Sequence, residues 1–278
     1  MEEPKTVVDT ENPDVIAISE ALSKSEVHDS ACQSSGFLLS MANRLNRRGA
    51  MLCSLKEDLK SLEIILASTS TRRKEILGNI GLKFSSVCPD VEESLPSENF
   101  QSIPAHIEAI AKLKVDAVVN TLDISKRNYV VIGADTVVCF EGCIFGKPSS
   151  HVDAVNTLTR LSGNVHQVIT GVCLKWIVSG KEQKIDQFHE VTNVKMIELS
   201  PLIIEGYVQS GEPMDKAGAY GIQGLGSSLI ERIDGDYFSV VGLPVCRLCK
   251  YLKAGCEEIV FKLLDTEFLS SRVDVPEK

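Results

Sequence analysis

A mixed α/β fold is the class this sequence predicts, on three observations. From residue 62 onward, short β-branched apolar runs alternate with segments whose apolar residues recur every three or four positions, the pattern of interleaved strands and helices. Several strand-like runs lead straight through a turn into another, which makes antiparallel pairs inside the same sheet, so the sheet is mixed rather than wholly parallel. The length of 278 residues, with 44% hydrophobic and 24% charged residues, is that of a globular protein large enough to bury a substantial core.

The elements follow in order. Glu63 to Ser68 reads as a short buried strand. Thr71 to Ile80 reads as a helix with Ile76, Leu77 and Ile80 on one face, Ser70 or Thr71 as its cap and Gly81 as its stop. Lys83 to Cys88 is a second strand. Ile103, Ile107, Ile110, Leu113 and Ala117 mark a helix over about 104–120. Tyr129 to Phe140 is strand-like, and Glu141-Gly142 turns it back into Cys143-Ile144-Phe145. Ser150 with Asp153 resembles a capping box for a helix to about Leu161. His166 to Val178 and Ile185 to Leu199 form a hairpin of two long strands. Ser200-Pro201 opens a helix that Gly211 closes. Ser227 to Ile233 and Tyr237 to Val241 read as strands around Asp234-Gly235-Asp236, and Pro244 begins a last helix reaching Leu264. Three divisions result: a poorly structured, acidic and Ser-rich extension over 1–60, with an amphipathic stretch between Phe37 and Leu55, a globular domain over 61–265, and a tail over 266–278.

The formal net charge is −9. Duplex nucleic acid needs clustered Lys and Arg against its phosphates, so such a partner is not expected. Any phosphate handled here is small and sits in a locally basic pocket. The nine cysteines are scattered and mostly lie in apolar runs, as reduced core thiols of a cytoplasmic protein do. Cys246-Arg247-Leu248-Cys249 lacks two further ligands at zinc-site spacing and reads as a packed helix face. No apolar run approaches the roughly 20 residues that span a bilayer.

Two common phosphate motifs fail. Gly142 to Pro148 is one residue short of a P-loop, with Pro148 where a Ser or Thr would hold magnesium, and Gly221-Ile222-Gln223-Gly224-Leu225-Gly226 has the wrong spacing for a dinucleotide fingerprint. Four polar clusters at strand ends remain. Ser68 to Arg73 follows a strand and opens a helix, where free backbone N–H groups attract anions. Two arginines in that first turn oppose the helix dipole, a cost that makes sense if they meet a polyanion; the alternative is two solvated surface arginines. Asp135, within Gly133-Ala134-Asp135-Thr136, is a lone carboxylate in a Val- and Ile-rich run, for metal or acid–base work or as an acceptor in a structural turn. Lys147, between Gly146 and Pro148, is a phosphate contact or a solvated loop lysine. Glu212 to Gly224 is glycine-dense and reads as a binding loop, or as an exposed linker, with Gln223 able to read a base edge. One carboxylate of Glu92-Glu93 could share a magnesium ion with Asp135.

Taken together and in order, Leu66 to Arg73, Gly133 to Val137, Gly146 to Pro148, Leu161 to Gly163 with His166 and Thr170-Gly171, and Glu212 to Gly224 resemble the Maf family of nucleotide pyrophosphatases, from about Glu63 to Leu252. The resemblance implies an elongated α/β structure with a mixed central sheet flanked by helices and a cleft between two lobes, similar to inosine triphosphate pyrophosphatases. It implies hydrolysis of a nucleoside triphosphate to the monophosphate and pyrophosphate with a divalent metal, Mg2+ or Mn2+. Asp135 would be the proton acceptor and, with Glu93, a metal ligand. Ser68, Ser70, Arg72, Arg73, Lys114, Thr136, Lys147 and Gln223 would surround the substrate. Arg73, Thr136 and Gln223 match the family branch that acts on dTTP and UTP. Thr71 stands where the family usually has Pro. Family members often form homodimers, and roles in cleansing modified pyrimidine nucleotides or in cell-division control are implied. Two alternatives stay open on sequence: the same fold acting on another or a modified base, and a nucleotide-sensing regulator without turnover.

Overall fold

A computed structural model describes residue 55 and residues 59–92, 95–96, 100–125 and 127–270, the side chains of Ser61 and of the residues beyond 259 apart. The segment expected to be amphipathic between Phe37 and Leu55 lies outside the described residues except for Leu55. That residue and Leu59 are buried, ahead of the expected domain start at residue 61.

Among the described residues, seven strands form one sheet: β1 (Glu63–Ala67), β2 (Ser85–Val87), β3 (Tyr129–Phe140), β4 (Cys143–Phe145), β5 (Val165–Val178), β6 (Lys181–Met196) and β7 (Ile230–Asp234). The order is β2-β1-β3-β5-β6-β7, with β4 added to β3. β1 runs parallel to β2 and β3, and every other pair is antiparallel, so the sheet is mixed, as the hairpin pattern predicts. The β5–β6 hairpin turns at Ser179-Gly180, both with positive φ, the geometry that matches strand twist in a tight hairpin.

Six α-helices accompany it among the described residues: α1 (Thr71–Asn79), α2 (Ile103–Val119), α3 (His151–Leu161), α4 (Pro201–Gln209), α5 (Tyr237–Val241) and α6 (Val245–Ser270). Serine side chains accept from the third helical N–H at four of these starts, at Ser70, Ser102, Ser150 and Ser200, each satisfying an otherwise orphaned donor. Asp153 bonds the N–H and hydroxyl of Ser149, one residue before the capping-box position. Two expectations are corrected. Tyr237 to Val241 is a helix, because Asp236 caps it by accepting from Ser239 N–H at 3.0 Å; its aromatic and β-branched composition misled the strand reading. The strand expected from Ser227 begins only at Ile230, after a 3-10 stretch over Gly224–Leu229.

Alternate residues of β3 and β5 face opposite layers. Val137, Cys139 and Ile169 pack with Ile107 and Ile110 of α2. Val138 and Val168 pack on the other side with Leu158 of α3 and Ile204 of α4. Both faces of the central strands are therefore covered, which explains their continuous apolar runs; each fully buried Leu or Ile side chain stabilises by about 1.5–3 kcal/mol. Two glycines let α2 lie close to the sheet. A Cβ on Gly133 would stand 2.7 Å from Ala111 O, and one on Gly171 would stand 2.7 Å from the Ile107 carbonyl carbon. The Gly171→Ala variant should lose about 1–3 kcal/mol of stability, read as a lower midpoint in urea; an unchanged midpoint would show that α2 is free to lift from the sheet.

Candidate active site

β1 ends at Ala67, opposite Gly133, while β3 continues to Phe140. The chain leaving β1 can therefore cross the end of its own strand and start α1 beside the next residues of β3. Ligands gather at such carboxyl ends of parallel strands. The Ser68–Arg73 cluster thus comes alongside Asp135 and Thr136. A cavity of about 500 Å³ opens there, lined by both clusters and by Lys114, Gly146, Lys147, Asp215, Lys216, Tyr220 and Gln223. That volume suits a nucleotide-sized ligand. Every expected site residue within the described set lines it: Ser68, Ser70, Arg72, Arg73, Lys114, Asp135, Thr136, Lys147 and Gln223. Glu93 lies outside the described residues.

Asp135 shares a face of β3 with Gly133 and Val137 and meets α2. Lys114 Nζ stands 2.7 Å from its Oδ1, with side chains 6% and 15% exposed. Lys114 falls on the same helical stripe as Ile107, Ala111 and Val118, all buried. A lysine on an apolar stripe is the signal that could have singled it out without any resemblance, because burying the ammonium needs a carboxylate partner.

Thr136 points to the other face, where Arg73 is buried. Arg73 Nε donates to Gly242 O at 2.8 Å and Nη2 to Thr136 Oγ1 at 3.0 Å. Thr170 gives its hydroxyl proton to Ser239 O at 2.8 Å, so Thr136 must be the donor in its 2.9 Å bond to Thr170. Donors and acceptors then run in one direction from Arg73 through Thr136 and Thr170 to Ser239. This chain fixes the cavity wall across α1, β3, β5 and α5.

Arg72 reaches the opposite wall. Its Nη1 donates to Asp215 Oδ2 at 3.1 Å and its Nη2 to Asp215 O at 3.3 Å. Lys216 Nζ bonds Asp215 Oδ1 at 2.6 Å. Burial works against charge on Asp215, yet the Lys216 bond and the fields of Arg72 and Lys216 hold its carboxyl below the usual carboxylate range. Asp215 and Lys216 lie within the Glu212–Gly224 stretch, where the sequence singles out only Gln223 for a role. Lys147 is exposed, on a loop anchored where Gly218 N–H donates to Gly146 O at 3.0 Å. The Glu212–Gly224 stretch is no loose linker: it winds through 3-10 turns at Glu212–Asp215 and Ala217–Ala219 and buries Pro213, Gly218 and Ala219. Five basic side chains (Arg72, Arg73, Lys114, Lys147, Lys216) and two acidic ones (Asp135, Asp215) line the cavity, a locally positive site in a chain of charge −9. Such a site favours a polyanion.

The wall behind Tyr220 holds a buried His166, whose Nε2 is 2.7 Å from the Tyr220 hydroxyl. Burial lowers the imidazole from 6.5 to about 4. Among the described residues no group of three or more His, Cys, Asp or Glu is placed to hold a metal alone, and no helix is long and apolar enough to cross a membrane.

A model of the Maf-like protein family matches residues 63–255. The dTTP/UTP pyrophosphatase of Alkaliphilus metalliredigens is 48% identical over 190 residues, covering 68% of this chain and 94% of that protein. A human protein described as a probable bifunctional dTTP/UTP pyrophosphatase/methyltransferase is 43% identical over 208 residues, covering 73% of this chain; the chain spans 33% of that relative's length. Among solved structures, a nucleoside-triphosphatase (dITP/XTP pyrophosphatase) of Mycobacterium abscessus aligns over 72% of this chain and 98% of its own, with a TM-score of 0.34 and 13% identity.

His166 carries a pH prediction. The unfolded chain takes up a proton near pH 6.5 that the folded chain refuses until about pH 4, so stability is full above that window and is lost as pH falls through it. Between pH 7 and 5, His166→Gln should lose about 2 kcal/mol less stability than the parent in urea unfolding at both pH values. Equal losses would show that His166 does not stay neutral.

Proposed function

This chain belongs to the Maf family, and on that premise we propose that it hydrolyses dTTP and UTP to the nucleoside monophosphate and pyrophosphate. The observation that carries the reading is the shared cavity: the five cations, Asp135 and Gln223 all line one space. A nucleoside triphosphate carries about four negative charges near neutrality, and an incoming nucleophile is repelled unless cations offset them. Arg72 and Lys147, which line the same cavity, bind the polyphosphate, and Lys114 adds its charge beside Asp135. Arg73, tied to Gly242 and Thr136, keeps α1 and β3 in register around the reacting end. Ser68 and Ser70 set the turn into α1: Ser68 Oγ accepts from Ser70 N–H at 3.2 Å, and Ser70 Oγ from Arg73 N–H at 3.4 Å.

Asp135 accepts a proton from water as its oxygen attacks the α-phosphorus. The new P–O bond forms as the α–β bridging P–O bond breaks, and pyrophosphate leaves with the bonding electron pair. Magnesium fits the donor set, since it takes one or two carboxylates and completes its shell with water and substrate phosphate oxygens. Asp135 would hold it, with Glu93 as the second carboxylate that the family pattern supplies. When bound, the ion offsets phosphate charge and lowers the pKa of water. Gln223 offers a paired donor and acceptor to the pyrimidine edge, and a site built around such bonds rejects bases that leave them unpaired. Cys139, Cys173 and Cys249 are thiols buried in the core, which supports a reducing, cytoplasmic setting.

A nucleotide panel with a pyrophosphate readout tests this. Turnover of dTTP and UTP should exceed that of purine triphosphates by about tenfold or more, cease on chelation and return with magnesium. Equal rates on all bases would remove Gln223 from the account. Asp135→Asn should lower kcat/KM by about 10²–10⁴-fold, whereas full activity in that variant would reject its role as proton acceptor. Arg72→Ala and Lys147→Ala should each cost about 2–4 kcal/mol in transition-state binding; parental kinetics in both would reject the phosphate assignment.

A further inference from the structure

The stretch that carries Gln223 is closed on itself by residues that do not line the cavity. Glu212 Oε1 accepts the Tyr207 hydroxyl at 2.9 Å and the Gly226 N–H at 2.9 Å, and its Oε2 accepts the Leu225 N–H at 2.9 Å. The Tyr207 oxygen accepts in turn from Gly221 N–H at 3.0 Å. One carboxylate therefore binds the far end of Gly221–Gly226 directly and the near end through a tyrosine, with Gln223 between them.

The closure leaves no room for side chains. A Cβ on Gly226 would stand 2.3 Å from Gly221 O and 2.5 Å from the Tyr207 hydroxyl. One on Gly224, which has φ +69, would stand 2.8 Å from Glu212 Oε2. Just ahead of the stretch, Tyr220 is buried and held by His166. All three groups on Glu212 are donors, so residue 212 has to accept three times. A carboxylate does so; an amide would turn its own N–H bonds toward at least one of those donors. Burial opposes charge on Glu212, but the Gly226, Leu225 and Tyr207 bonds hold its carboxyl below the usual range.

We propose that Glu212 and Tyr207 are positioning residues for base selection, which lock Gly221–Gly226 in the conformation that presents Gln223 to the nucleobase. The proposal rests on the reading that Gln223 meets the pyrimidine. It separates two functions of the site: α1, α2 and the Lys147 loop act on the phosphates, while the Glu212 clasp decides which base is accepted. Disturbing the clasp should therefore act on KM and on base choice more than on turnover.

The test uses the full chain with magnesium and three variants, Glu212→Gln, Tyr207→Phe and Gln223→Ala, plus the double variant Glu212→Gln/Gln223→Ala. In Glu212→Gln the KM for dTTP should rise about tenfold with kcat within about threefold, and the kcat/KM preference for dTTP over dGTP should fall about tenfold. Tyr207→Phe keeps the buried ring and should show the same split more weakly; it carries the test if Glu212→Gln does not fold. The double variant should be no less selective than Gln223→Ala alone, because residues acting through one contact are not additive. Amide hydrogen exchange over residues 221–226 in the nucleotide-free protein should speed up about tenfold in Glu212→Gln. Unchanged exchange, or unchanged selectivity in both clasp variants while Gln223→Ala loses it, overturns the proposal and leaves the Gln223 reading standing. Selectivity that survives Gln223→Ala overturns both. Additive losses in the double variant show that Glu212 acts by another route and also reject it.

Discussion

The pair between Lys114 and Asp135 is the interaction on which the rest of the site depends. A carboxylate in the middle of a strand as apolar as β3 is expensive to bury unless a cation meets it. The ammonium that meets it comes from α2, and α2 comes close enough only because Gly133 and Gly171 present no side chain to it. Backbone approach, burial and charge are thus one constraint. The glycines set the helix height, the height sets the reach of Lys114, and the ion pair keeps a charged group at the end of β1, where the chain turns into α1.

Around that pair the cavity divides its work by wall. One wall is rigid: Arg73, Thr136 and Thr170 pass hydrogen bonds in a single direction to the backbone of α5 and leave little freedom between β3, β5 and α1. The other wall offers exchangeable contacts. Arg72 and Lys216 both rest on Asp215, whose side chain is 66% exposed, so a polyphosphate can compete for these cations without first creating a buried unpaired charge. The acidity of the whole chain then costs the substrate little, because field lines inside a lined cleft follow the local charges.

Much of this was readable from residue order. The strands announced themselves by β-branched runs, and the starts of α1, α3 and α4 by serines at their caps. The site clusters were visible because polar residues interrupt apolar patterns at Ser68–Arg73 and at Asp135. What stayed hidden depended on contacts between distant segments. Tyr237 to Val241 has strand composition, and only the Asp236 cap, with packing against β5 and β6, makes it a helix. The stretch from Glu212 left a binding loop and an exposed linker both open, because glycine density signals flexibility locally, whereas here the glycines permit close approach around a carboxylate. The pairing of Arg72 with Asp215, 143 residues apart, has no local signature at all.

The account stands most directly on where a bound nucleotide lies. A crystal structure of the Asp135→Asn protein with dTTP and magnesium should show the polyphosphate between Arg72 and Lys147, the α-phosphorus nearest residue 135, and the thymine edge on Gln223. A nucleotide seated outside this cavity, or one with its base turned away from the 221–226 stretch and its phosphates remote from both cations, would contradict it.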